Sequence, residues 1–465
     1  MSHSTAEAMA PAGTTSQSAA EAIASAGGIV AALRNAQTAP TVFPVQPEFT
    51  NWRSEQLAWR ESVALLDQSH HMTDLFIKGP DALKLLSDLG INNFSKFKPN
   101  MAKQFVAVNH EGYLIGDAIL VYLEDGLFDL IGWHMVIDWV QYHGEKGDYD
   151  VTFERDANSA AREGDPLQYR FEVQGPKAEL LMEKVSSTPV AKTKFFGMLE
   201  FEIEGRRIRA IRHGMAGQPG FEFWGPWEDY DLIRNALLEV GKEFDLKLVG
   251  SLAYSTANLE SAWVPSPTPA IFSGQEMEDY LQWLPASRMG SIAGSFSSEN
   301  IEDYYNTPFE IGYGRHIDWN HDFIGKDALK TLSEQQHRQK VSLEWNAEDL
   351  AAAQRSLYEE GTPAKYISFP KARYGLYQVD GVERDGKLVG ISHDAGYLTN
   401  EQAFVSLASI DADLTEPGTE VELIWGESPN SAKPAVEPHR QVTIRATVQP
   451  APYSRFARET YRKNS

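Results

Sequence analysis

Two segments of this chain share one order of features, namely an alternating apolar stretch, a Gly-Pro pair and an apolar stretch with helical spacing. The pairs are Gly79-Pro80 and Gly175-Pro176, and after the first of them Ala82, Leu85 and Leu86 follow the spacing of a helix. A change of apolar period across a Gly-Pro turn predicts a strand followed by a helix. The repetition predicts two related α+β halves with a ligand cleft between them. The alternative is coincidence, since strand-turn-helix units are common.

Other patterns predict further elements of these sheet-rich halves. Residues 118–122 and 127–131 alternate around Glu124-Asp125-Gly126, a turn that suits positive φ, and predict a β-hairpin. Residues 231–244 carry apolar side chains on one side and predict an amphipathic helix that covers a sheet. Beyond residue 335, short strands with turn signals predict a small C-terminal β-barrel or sandwich.

These features divide the chain into three parts. Residues 1–26 are rich in Ala, Ser and Thr and have no sustained apolar period, so we expect a flexible N-terminal extension. Residues 27–335 form the two-part region around the cleft, and residues 336–465 form a C-terminal β-rich domain. The expected fold class is therefore α+β with a barrel-like C-terminal domain.

The charge of the chain limits its partners. Lys and Arg total 42 against 65 Asp and Glu, a formal net charge of -23, which opposes binding to nucleic acid and to anionic membranes. No window approaches the roughly 18 consecutive apolar residues of a membrane helix, and the N-terminus lacks the pattern of a signal peptide. We therefore expect a cytoplasmic protein with small-molecule partners and no membrane or nucleic-acid partner. The sequence does not indicate an oligomeric state.

The chain contains no cysteine. Without this residue, Rieske clusters and the thiolate-ligated haem of P450 enzymes are impossible. Disulfides, cysteine-based zinc sites and a thiol nucleophile are excluded for the same reason. Any chemistry of this protein must therefore use other groups.

Several short motifs occur in order along the chain. They include His-His-Met at 70–72, Gly-Tyr-Leu-Ile-Gly-Asp at 112–117, Arg-His-Gly-Met-Ala-Gly at 212–217, Gly-Phe-Glu-Phe-Trp at 220–224 and Leu-Glu-Ser-Ala-Trp at 259–263. Together the motifs resemble the glycine-cleavage T-protein, or aminomethyltransferase, superfamily. The first and third motifs favour its branch of tetrahydrofolate-dependent aromatic O-demethylases, of the vanillate/3-O-methylgallate, syringate or dicamba demethylase type.

The resemblance implies both a fold and an activity. The fold is that of the T-protein, with residues 27–335 forming two related α+β halves around a folate cleft. The activity transfers the methyl group of a methoxylated aromatic acid to tetrahydrofolate, giving 5-methyltetrahydrofolate and the free phenol, without a metal. Tetrahydrofolate is then the cofactor, and a small aromatic methyl ether is the substrate.

Four residues match folate contacts of the family. Glu222 matches the carboxylate that accepts two parallel hydrogen bonds from the aminopyrimidinone edge of the pterin. Gln104 and Trp263 match a polar contact and a flat apolar wall. Asp117 matches an acid near the pterin, which could steady positive charge developing on the attacking nitrogen. Each has an ordinary alternative, namely a strand-surface glutamate, a core tryptophan or a structural aspartate.

Tyr254 matches the proton donor of the family and also belongs to the substrate pocket. Phenoxide is a poor leaving group, so an acid with a pKa near that of the departing phenol suits the reaction, and an unperturbed tyrosine has a pKa of about 10. The alternative is a buried tyrosine with an ordinary hydrogen bond. His71 matches a substrate-binding position, where an imidazole can bind a phenol or a carboxylate. His70 is the candidate for a structural role.

One position departs from the vanillate enzymes. Those enzymes carry an arginine that binds the substrate carboxylate at the position where this chain has Trp133. Either His134 or another cation holds the carboxylate, or Trp133 packs against different ring substituents. The change argues against vanillate and favours a substituted o-methoxybenzoate such as dicamba, or syringate and its relatives.

Three other functions stay open. His316 and Asp318 have the His-x-Asp spacing of a non-haem iron site, which would make the protein an oxidative demethylase that depends on iron and oxygen. The same fold could serve as a folate-dependent aminomethyltransferase or an N- or S-demethylase, acting on an aliphatic amine or a sulfonium. The third is a folate-binding module without chemistry, and the presence of Tyr254 argues against it.

Overall fold

The computed structural model describes residues 17–37 and 43–461. Within these residues the strands are β1 (Val63–Asp67), β2 (Thr73–Lys78), β3 (Met101–Val108), β4 (Leu114–Glu124), β5 (Leu127–Gly132), β6 (Thr152–Asp156), β7 (Gln168–Gln174), β8 (Met198–Ile203), β9 (Arg206–Arg212), β10 (Gly220–Pro226), β11 (Leu246–Val249), β12 (Ile292–Ala293), β13 (Gln339–Trp345), β14 (Lys371–Ala372), β15 (Tyr377–Gln378), β16 (Asp380–Arg384), β17 (Lys387–Leu398), β18 (Ala403–Ile410), β19 (Glu420–Trp425) and β20 (Val442–Gln449). The α-helices of the same residues are α1 (Ala19–Ala26), α2 (Ile29–Arg34), α3 (Trp52–Glu61), α4 (Ala82–Leu89), α5 (His134–Lys146), α6 (Ala178–Val185), α7 (Tyr230–Gly241), α8 (Ser251–Tyr254), α9 (Ala257–Ser261), α10 (Glu278–Trp283), α11 (Lys326–Ser333) and α12 (Ala347–Arg355).

The first part of the chain builds two sheets, one in each half. The five-stranded sheet has the order β3-β4-β5-β2-β6, and the six-stranded sheet has the order β11-β1-β7-β10-β9-β8. The predicted hairpin is present as β4 and β5, with Ile119 opposite Ile131. The predicted amphipathic helix is present as α7, which buries Ile233 and Leu237 in the core of the six-stranded half. Both expectations are confirmed.

The repeated strand, Gly-Pro and helix segment occurs once in each half, as β2 with α4 and as β7 with α6. Both glycines have positive φ, 149° at Gly79 and 134° at Gly175. Each lies against the backbone of a neighbouring segment, and a Cβ on Gly175 would stand 2.6 Å from the Ser62 carbonyl oxygen. Two residues later, the amide of Lys177 donates to that same carbonyl at 3.1 Å. Glycine is therefore required at both positions, because a side chain would meet the neighbouring backbone and because φ is positive.

The two sheets face each other, and the cleft lies between them. Ile119, Val121 and Ile131 of the five-stranded sheet belong to one apolar cluster with Ile211 and Trp224 of the six-stranded sheet. Helix α5 packs with the opposite face of the five-stranded sheet, in the main core of that half. Side chains on the inner faces, between the sheets, are therefore the ones that can reach a ligand in the cleft.

The C-terminal strands close into a six-stranded barrel. The order is β17-β16-β19-β20-β13-β18, and the pairing of β17 with β18 closes the circle. Its core contains the buried aromatic side chains of Trp345, Phe404 and Trp425. After β20 the chain returns to the six-stranded half, where the Tyr461 hydroxyl donates to the Gly214 carbonyl at 3.1 Å. The barrel is thus attached to the cleft region at both of its ends.

The expected flexible extension needs a correction. Residues 19–26 form helix α1, whose N-terminus is closed by a capping box of Ser18 and Glu21. Ala19 is fully buried, and its amide donates to the Leu284 carbonyl at 2.7 Å. The sequence shows no sustained apolar period here because the helix packs through alanines and a single large apolar side chain, Ile23. The expectation is wrong for residues 17–26, whereas residues 1–16 lie outside the described residues.

We expect Gly175→Ala to destabilise the fold more than Gly205→Ala does. Both glycines have positive φ, but a Cβ on Gly205 meets nothing within 4 Å, so that variant reports the backbone cost alone, about 1 kcal/mol. Gly175→Ala adds the clash with Ser62, about 1–3 kcal/mol more. Urea titration measures both free energies of unfolding. Equal losses would show that the close approach does not constrain the repeat.

Candidate active site

Arg170, on the central strand β7, lies in the middle of the cleft and is only 3% exposed. Its two terminal nitrogens lie 3.1 Å from Glu222 Oε1 and 2.7 Å from Asp74 Oδ1. The guanidinium is also 3.8 Å from Asp129 and stacks over the Trp224 ring, 4.9 Å from its centroid. Glu222 belongs to the six-stranded sheet, whereas Asp74 and Asp129 belong to the five-stranded sheet. Arg170 therefore joins the two sheets.

The acids around this arginine differ in their ionisation. Burial raises the pKa of Asp74 and Asp129, and the nearby charge of Asp74 raises that of Asp129 further, against the opposing effect of Arg170. For Glu222, burial is outweighed by the hydrogen bond from His213 and the charge of Arg170, so its pKa is lowered. Glu222 is therefore the one acid of the three whose pKa is lowered.

Glu222 matches its predicted role in position and in chemistry. It is 1% exposed, and its second oxygen lies 3.2 Å from His213 Nδ1. Each carboxylate oxygen has two lone pairs, so two acceptor sites remain after Arg170 and His213. The group can therefore still accept the two parallel hydrogen bonds of a pterin edge.

Glu172 lies directly beside Glu222 in the register of β7 and β10. Its oxygens accept hydrogen bonds from the Met215 amide at 2.7 Å and from Gln68 Nε2 at 2.6 Å. Burial raises the pKa of Glu172 to about 7, and the Glu222 charge contributes in the same direction. Two adjacent buried carboxyls thus differ, since the pKa of Glu222 is lowered whereas Glu172 keeps its proton up to about pH 7.

Tyr254 and His71 form a second group at the cleft. The Tyr254 hydroxyl lies 2.7 Å from His71 Nε2 and 3.9 Å from the Met215 sulfur. Burial lowers the pKa of His71 to about 4, and burial together with the charges of Glu172 and Glu222 raises the pKa of Tyr254 well above its ordinary value. Both side chains are therefore neutral at physiological pH. The pair sits at the C-terminus of α8, where the predicted proton donor is held against the predicted substrate contact.

The remaining three predicted cofactor residues form one hydrogen-bonded group. Gln104 Nε2 donates to Asp117 Oδ2 at 2.8 Å, and Trp263 Nε1 donates to the same oxygen at 3.1 Å. Tyr313 also hydrogen-bonds Asp117, and burial raises the pKa of this aspartate despite these donors. The structure therefore brings Gln104, Asp117 and Trp263 together.

Trp133 and His134 have other contacts. The Trp133 ring packs against the main core of the five-stranded half and lies 5.3 Å from the His134 ring. His134 begins α5, and its Nδ1 lies 3.4 Å from Asp138. The guanidinium of Arg155 forms an ion pair with the same aspartate at 2.6 Å. Their role in substrate binding stays a prediction. His70 bonds Ser159 through Nδ1 at 2.9 Å, which fits the structural role considered for it.

One group of three side chains within the described residues has metal-ligating atoms close together, and it is Glu172, His213 and Glu222, within 4.8 Å of one another. In that group Glu222 already faces the guanidinium of Arg170. His316 and Asp318 are not members of it. His316 Nε2 lies 3.5 Å from Arg315 Nε. The donor geometry therefore gives the iron hypothesis no support at the predicted place.

A family model described as the GCVT N-terminal domain matches residues 22–266. A syringate O-demethylase from Sphingobium sp. strain SYK-6 is 46% identical to this chain over 444 residues, which cover 94% of this chain and 96% of that protein. The chain belongs to the GCVT family. A sesamin methylene transferase from Sinomonas sp. is 24% identical over 433 residues, covering 87% of this chain and 89% of the relative. An aminomethyltransferase from Thermoanaerobacter sp. is 28% identical over 400 residues, which cover 84% of this chain and 89% of that protein.

A solved structure shows the same fold. The glycine cleavage system aminomethyltransferase T from Bartonella henselae superposes with a TM-score of 0.60 at 16% identity, covering 90% of this chain and 95% of that one. The predicted GCVT-type fold, two α+β halves with a C-terminal barrel, is confirmed. Among the described residues, no helix has the length and apolar character needed to cross a membrane.

Several site residues of this GCVT protein were not predicted, among them Arg170, Glu172, Gln68 and Tyr313. Arg170 and Glu172 alternate with the apolar residues of β7, so the sequence pattern is that of a strand with one exposed face, and only the fold shows that this polar face is buried. Gln68 lies within two residues of the His-His-Met motif. Tyr313 comes from a distant loop, and no local pattern connects it with Asp117.

We expect Glu172→Gln to weaken the pH dependence of stability. The folded state holds the Glu172 proton up to about pH 7, whereas an ordinary glutamate releases it above 4.5, so wild-type stability falls as pH rises between these values. Glutamine removes this loss, about 1–3 kcal/mol between pH 5 and pH 8. Gln68 can turn its amide to match, because its Oε1 has no hydrogen-bond partner.

Urea titrations at pH 5 and pH 8 on wild type, Glu172→Gln and the exposed control Glu243→Gln measure the effect. In the control, the free energy of unfolding should change between pH 5 and pH 8 as much as it does in wild type. If it changes as much in Glu172→Gln as well, then Glu172 ionises as a free carboxyl does, and the difference in pKa between Glu172 and Glu222 is wrong.

Proposed function

We propose that this protein is a tetrahydrofolate-dependent O-demethylase. It transfers the methyl group of a methoxylated aromatic acid to tetrahydrofolate in the cytoplasm and releases 5-methyltetrahydrofolate and the free phenol. The relative of the same length that is 46% identical is a syringate O-demethylase, which supports this reaction over aminomethyl transfer, named in relatives that are 25–28% identical. The single structural observation that carries the proposal is the Tyr254–His71 pair at 2.7 Å, close enough to Glu222 for its charge to raise the pKa of both side chains.

The residues of the cleft suit a reduced folate. Glu222 offers a buried, ionised carboxylate with acceptor sites for the donor edge of a pterin. The Trp263 ring supplies a flat apolar wall, and its Nε1 donates a hydrogen bond to Asp117 that fixes the ring. When bound, tetrahydrofolate supplies the nucleophilic nitrogen that accepts the methyl group. Asp117 is the acid available to offset positive charge at that nitrogen.

Tyr254 protonates the departing phenolate in this proposal. Because His71 is neutral, it carries one ring proton. If that proton is on Nε2, His71 donates to the Tyr254 oxygen and leaves the tyrosine proton free to point at the ether oxygen. The same contact then stabilises the tyrosinate as the proton moves.

Syringate and related methoxybenzoates are the proposed substrates. The similarity to a syringate O-demethylase favours them over vanillate, in agreement with tryptophan rather than arginine at position 133. An aromatic ring with two flanking substituents needs apolar space at position 133, where the vanillate enzymes have the arginine that binds the carboxylate. Trp133 packs against the main core of the five-stranded half, and its contact with the substrate is part of this proposal.

We expect the metal-stripped protein to convert syringate anaerobically, with 5-methyltetrahydrofolate and the phenol formed in equal amounts. The assay follows both products in a panel of syringate, vanillate, dicamba and an aliphatic methylamine, with tetrahydrofolate omitted as the control. Product formed only after iron and oxygen are added would overturn the proposal. Turnover of the amine alone would replace it with an aminomethyltransferase-type activity.

We expect Tyr254→Phe to lower kcat by about 10²- to 10⁴-fold and to leave the Kd of tetrahydrofolate within about twofold, because the acid acts in the transition state. Tyr358→Phe is the matched control, since that tyrosine is 89% exposed. Rapid-quench turnover and folate titration measure the two quantities. Wild-type kcat in Tyr254→Phe would remove this residue from the mechanism.

A further inference from the structure

Helix α9 and the residue before it carry buried polar side chains where the helix packs against the C-terminal barrel. Thr256, Asn258 and Glu260 are at most 5% exposed. Thr256 accepts a hydrogen bond from a side chain of α3 at 2.8 Å, and Glu260 accepts another from the same helix at 3.2 Å. The partners of Asn258 differ in kind, because they are a buried ion pair of the barrel and the peptide group of Trp263. Asn258 therefore connects the barrel with a residue assigned to the cofactor.

The side-chain amide of Asn258 uses both of its ends. Its Oδ1 accepts a hydrogen bond from Lys371 Nζ at 3.1 Å, and its Nδ2 donates to Asp394 Oδ2 at 3.0 Å. The same Nδ2 donates to the carbonyl oxygen of Trp263 at 3.0 Å, and the backbone amide of Trp263 donates to the Asn258 carbonyl at 3.0 Å. Asn258 thus holds the peptide groups on both sides of the Trp263 Cα.

The backbone turns sharply at Ala262, immediately before Trp263. Its φ of 57° and ψ of 36° are left-handed, which is unfavourable for a residue with a Cβ. Such a conformation persists only where the surrounding contacts fix it. The backbone amides of Ala262 and Trp263 both donate to the Asn258 carbonyl, and the Asn258 side chain holds the turn from its other side. The direction in which the Trp263 ring leaves the chain is therefore set at this turn.

The ion pair of Lys371 and Asp394 orients the Asn258 amide. The two charges lie 3.1 Å apart, on β14 and β17, and their side chains are 12% and 6% exposed. Burial lowers the pKa of Lys371 to about 8, against the effect of Asp394. For Asp394, burial is outweighed by the charges of Lys371 and Arg373, so its pKa is lowered, and both groups are charged at pH 7. Rotating the amide by 180° would place its NH2 group against the ammonium and its oxygen against the carboxylate, so the ion pair admits one orientation.

We propose that Asn258, oriented by the Lys371–Asp394 pair, is a positioning residue for tetrahydrofolate that acts through Trp263. The inference rests on the proposed function, in which the Trp263 ring is a wall of the folate site. The far end of that ring is anchored by the hydrogen bond from Nε1 to Asp117, and Asn258 anchors its backbone end. A ring held at both ends is fixed before the cofactor arrives, which reduces the entropy lost on binding. The barrel thereby contributes to cofactor affinity through the conformation of one side chain.

Exchanging the two side chains tests the role of Asn258. In Asn258→Asp/Asp394→Asn one carboxylate and one amide still face Lys371, so the charge balance of the buried group is kept. The carboxylate at position 258 has no hydrogen to donate to the Trp263 carbonyl. We expect the Tm to stay within about 3 °C of wild type. The Kd of tetrahydrofolate should rise about fivefold, the equivalent of one hydrogen bond. At saturating folate, kcat for syringate should stay within about twofold, because the proton donor Tyr254 is unaltered.

A second variant, Lys371→Met/Asp394→Leu, removes the ion pair and leaves Asn258 in place. Apolar side chains often replace a buried ion pair without loss of stability, so we expect a Tm close to that of wild type. The Asn258 amide then has no charges to orient it, and the Kd of tetrahydrofolate should rise about threefold. The matched control is Asn300→Asp/Asp303→Asn, the same exchange at an exposed pair whose amide nitrogen and carboxylate oxygen lie 3.5 Å apart. The control should keep the wild-type Kd and Tm.

Anaerobic titration with tetrahydrofolate measures Kd, thermal unfolding measures Tm, and conversion of syringate measures kcat. A wild-type Kd in Asn258→Asp/Asp394→Asn would overturn the positioning role of Asn258 and leave the demethylase intact. A wild-type Kd in Lys371→Met/Asp394→Leu would overturn the orienting role of the ion pair, and this variant decides the proposal if the exchanged one does not fold. Wild-type protein that binds tetrahydrofolate but demethylates no methyl ether would overturn the proposed function alone, whereas failure to bind it would overturn both.

Discussion

The guanidinium of Arg170 is the interaction on which the site depends. It lies between two sheets that meet through apolar side chains, and it brings Asp74 and Asp129 of one sheet toward Glu222 of the other. A buried cation is tolerated only when carboxylates and hydrogen bonds compensate it, and removal of one partner leaves the others uncompensated. The cleft therefore acquires a fixed negative group, Glu222, at a place that would otherwise favour the neutral acid. That group is the one whose chemistry suits a pterin.

Around this junction the cleft divides by charge. Glu222 is held ionised by Arg170 and His213, while Glu172 beside it keeps its proton to about pH 7. Close to these carboxyls, His71 and Tyr254 are both neutral, because burial lowers the pKa of the histidine and raises that of the tyrosine. An ionised acceptor binds a donor-rich heterocycle, whereas a neutral donor pair can protonate a leaving oxygen without adding net charge to a buried site. The two neighbouring groups thus suit cofactor and substrate respectively.

Much of the fold could be predicted from local pattern, whereas the junction could not. The Gly-Pro repeats, the β4–β5 hairpin and helix α7 are each specified by period and turn residues within one short stretch. Helix α1 was missed because its contacts use alanines and only one large apolar side chain, Ile23, which gives no period to recognise. Closure of the barrel depends on the β17–β18 pairing, which is a property of the whole set of strands.

The family motifs identified Gln104, Asp117 and Trp263 as separate residues, and only the fold shows that they form one hydrogen-bonded group. Arg170 and Tyr313 were not predicted, for a related reason. The partners of Arg170 lie on three other strands, and Tyr313 reaches Asp117 from a distant loop. Long-range charge pairing leaves no periodic trace in a sequence, so a single chain cannot reveal it.

The same geometry connects the barrel with the cofactor. Lys340 precedes the barrel core on its first strand, yet its ammonium contacts the carbonyl of Ala262, one residue before Trp263. A folate bound between Glu222 and Trp263 would contact the six-stranded sheet and a side chain that hydrogen-bonds Asp117 of the five-stranded sheet. A ligand that binds only the assembled arrangement stabilises it through its own binding free energy. Because Lys340 of the barrel contacts the residue before Trp263, the barrel helps to hold the segment that carries this side chain.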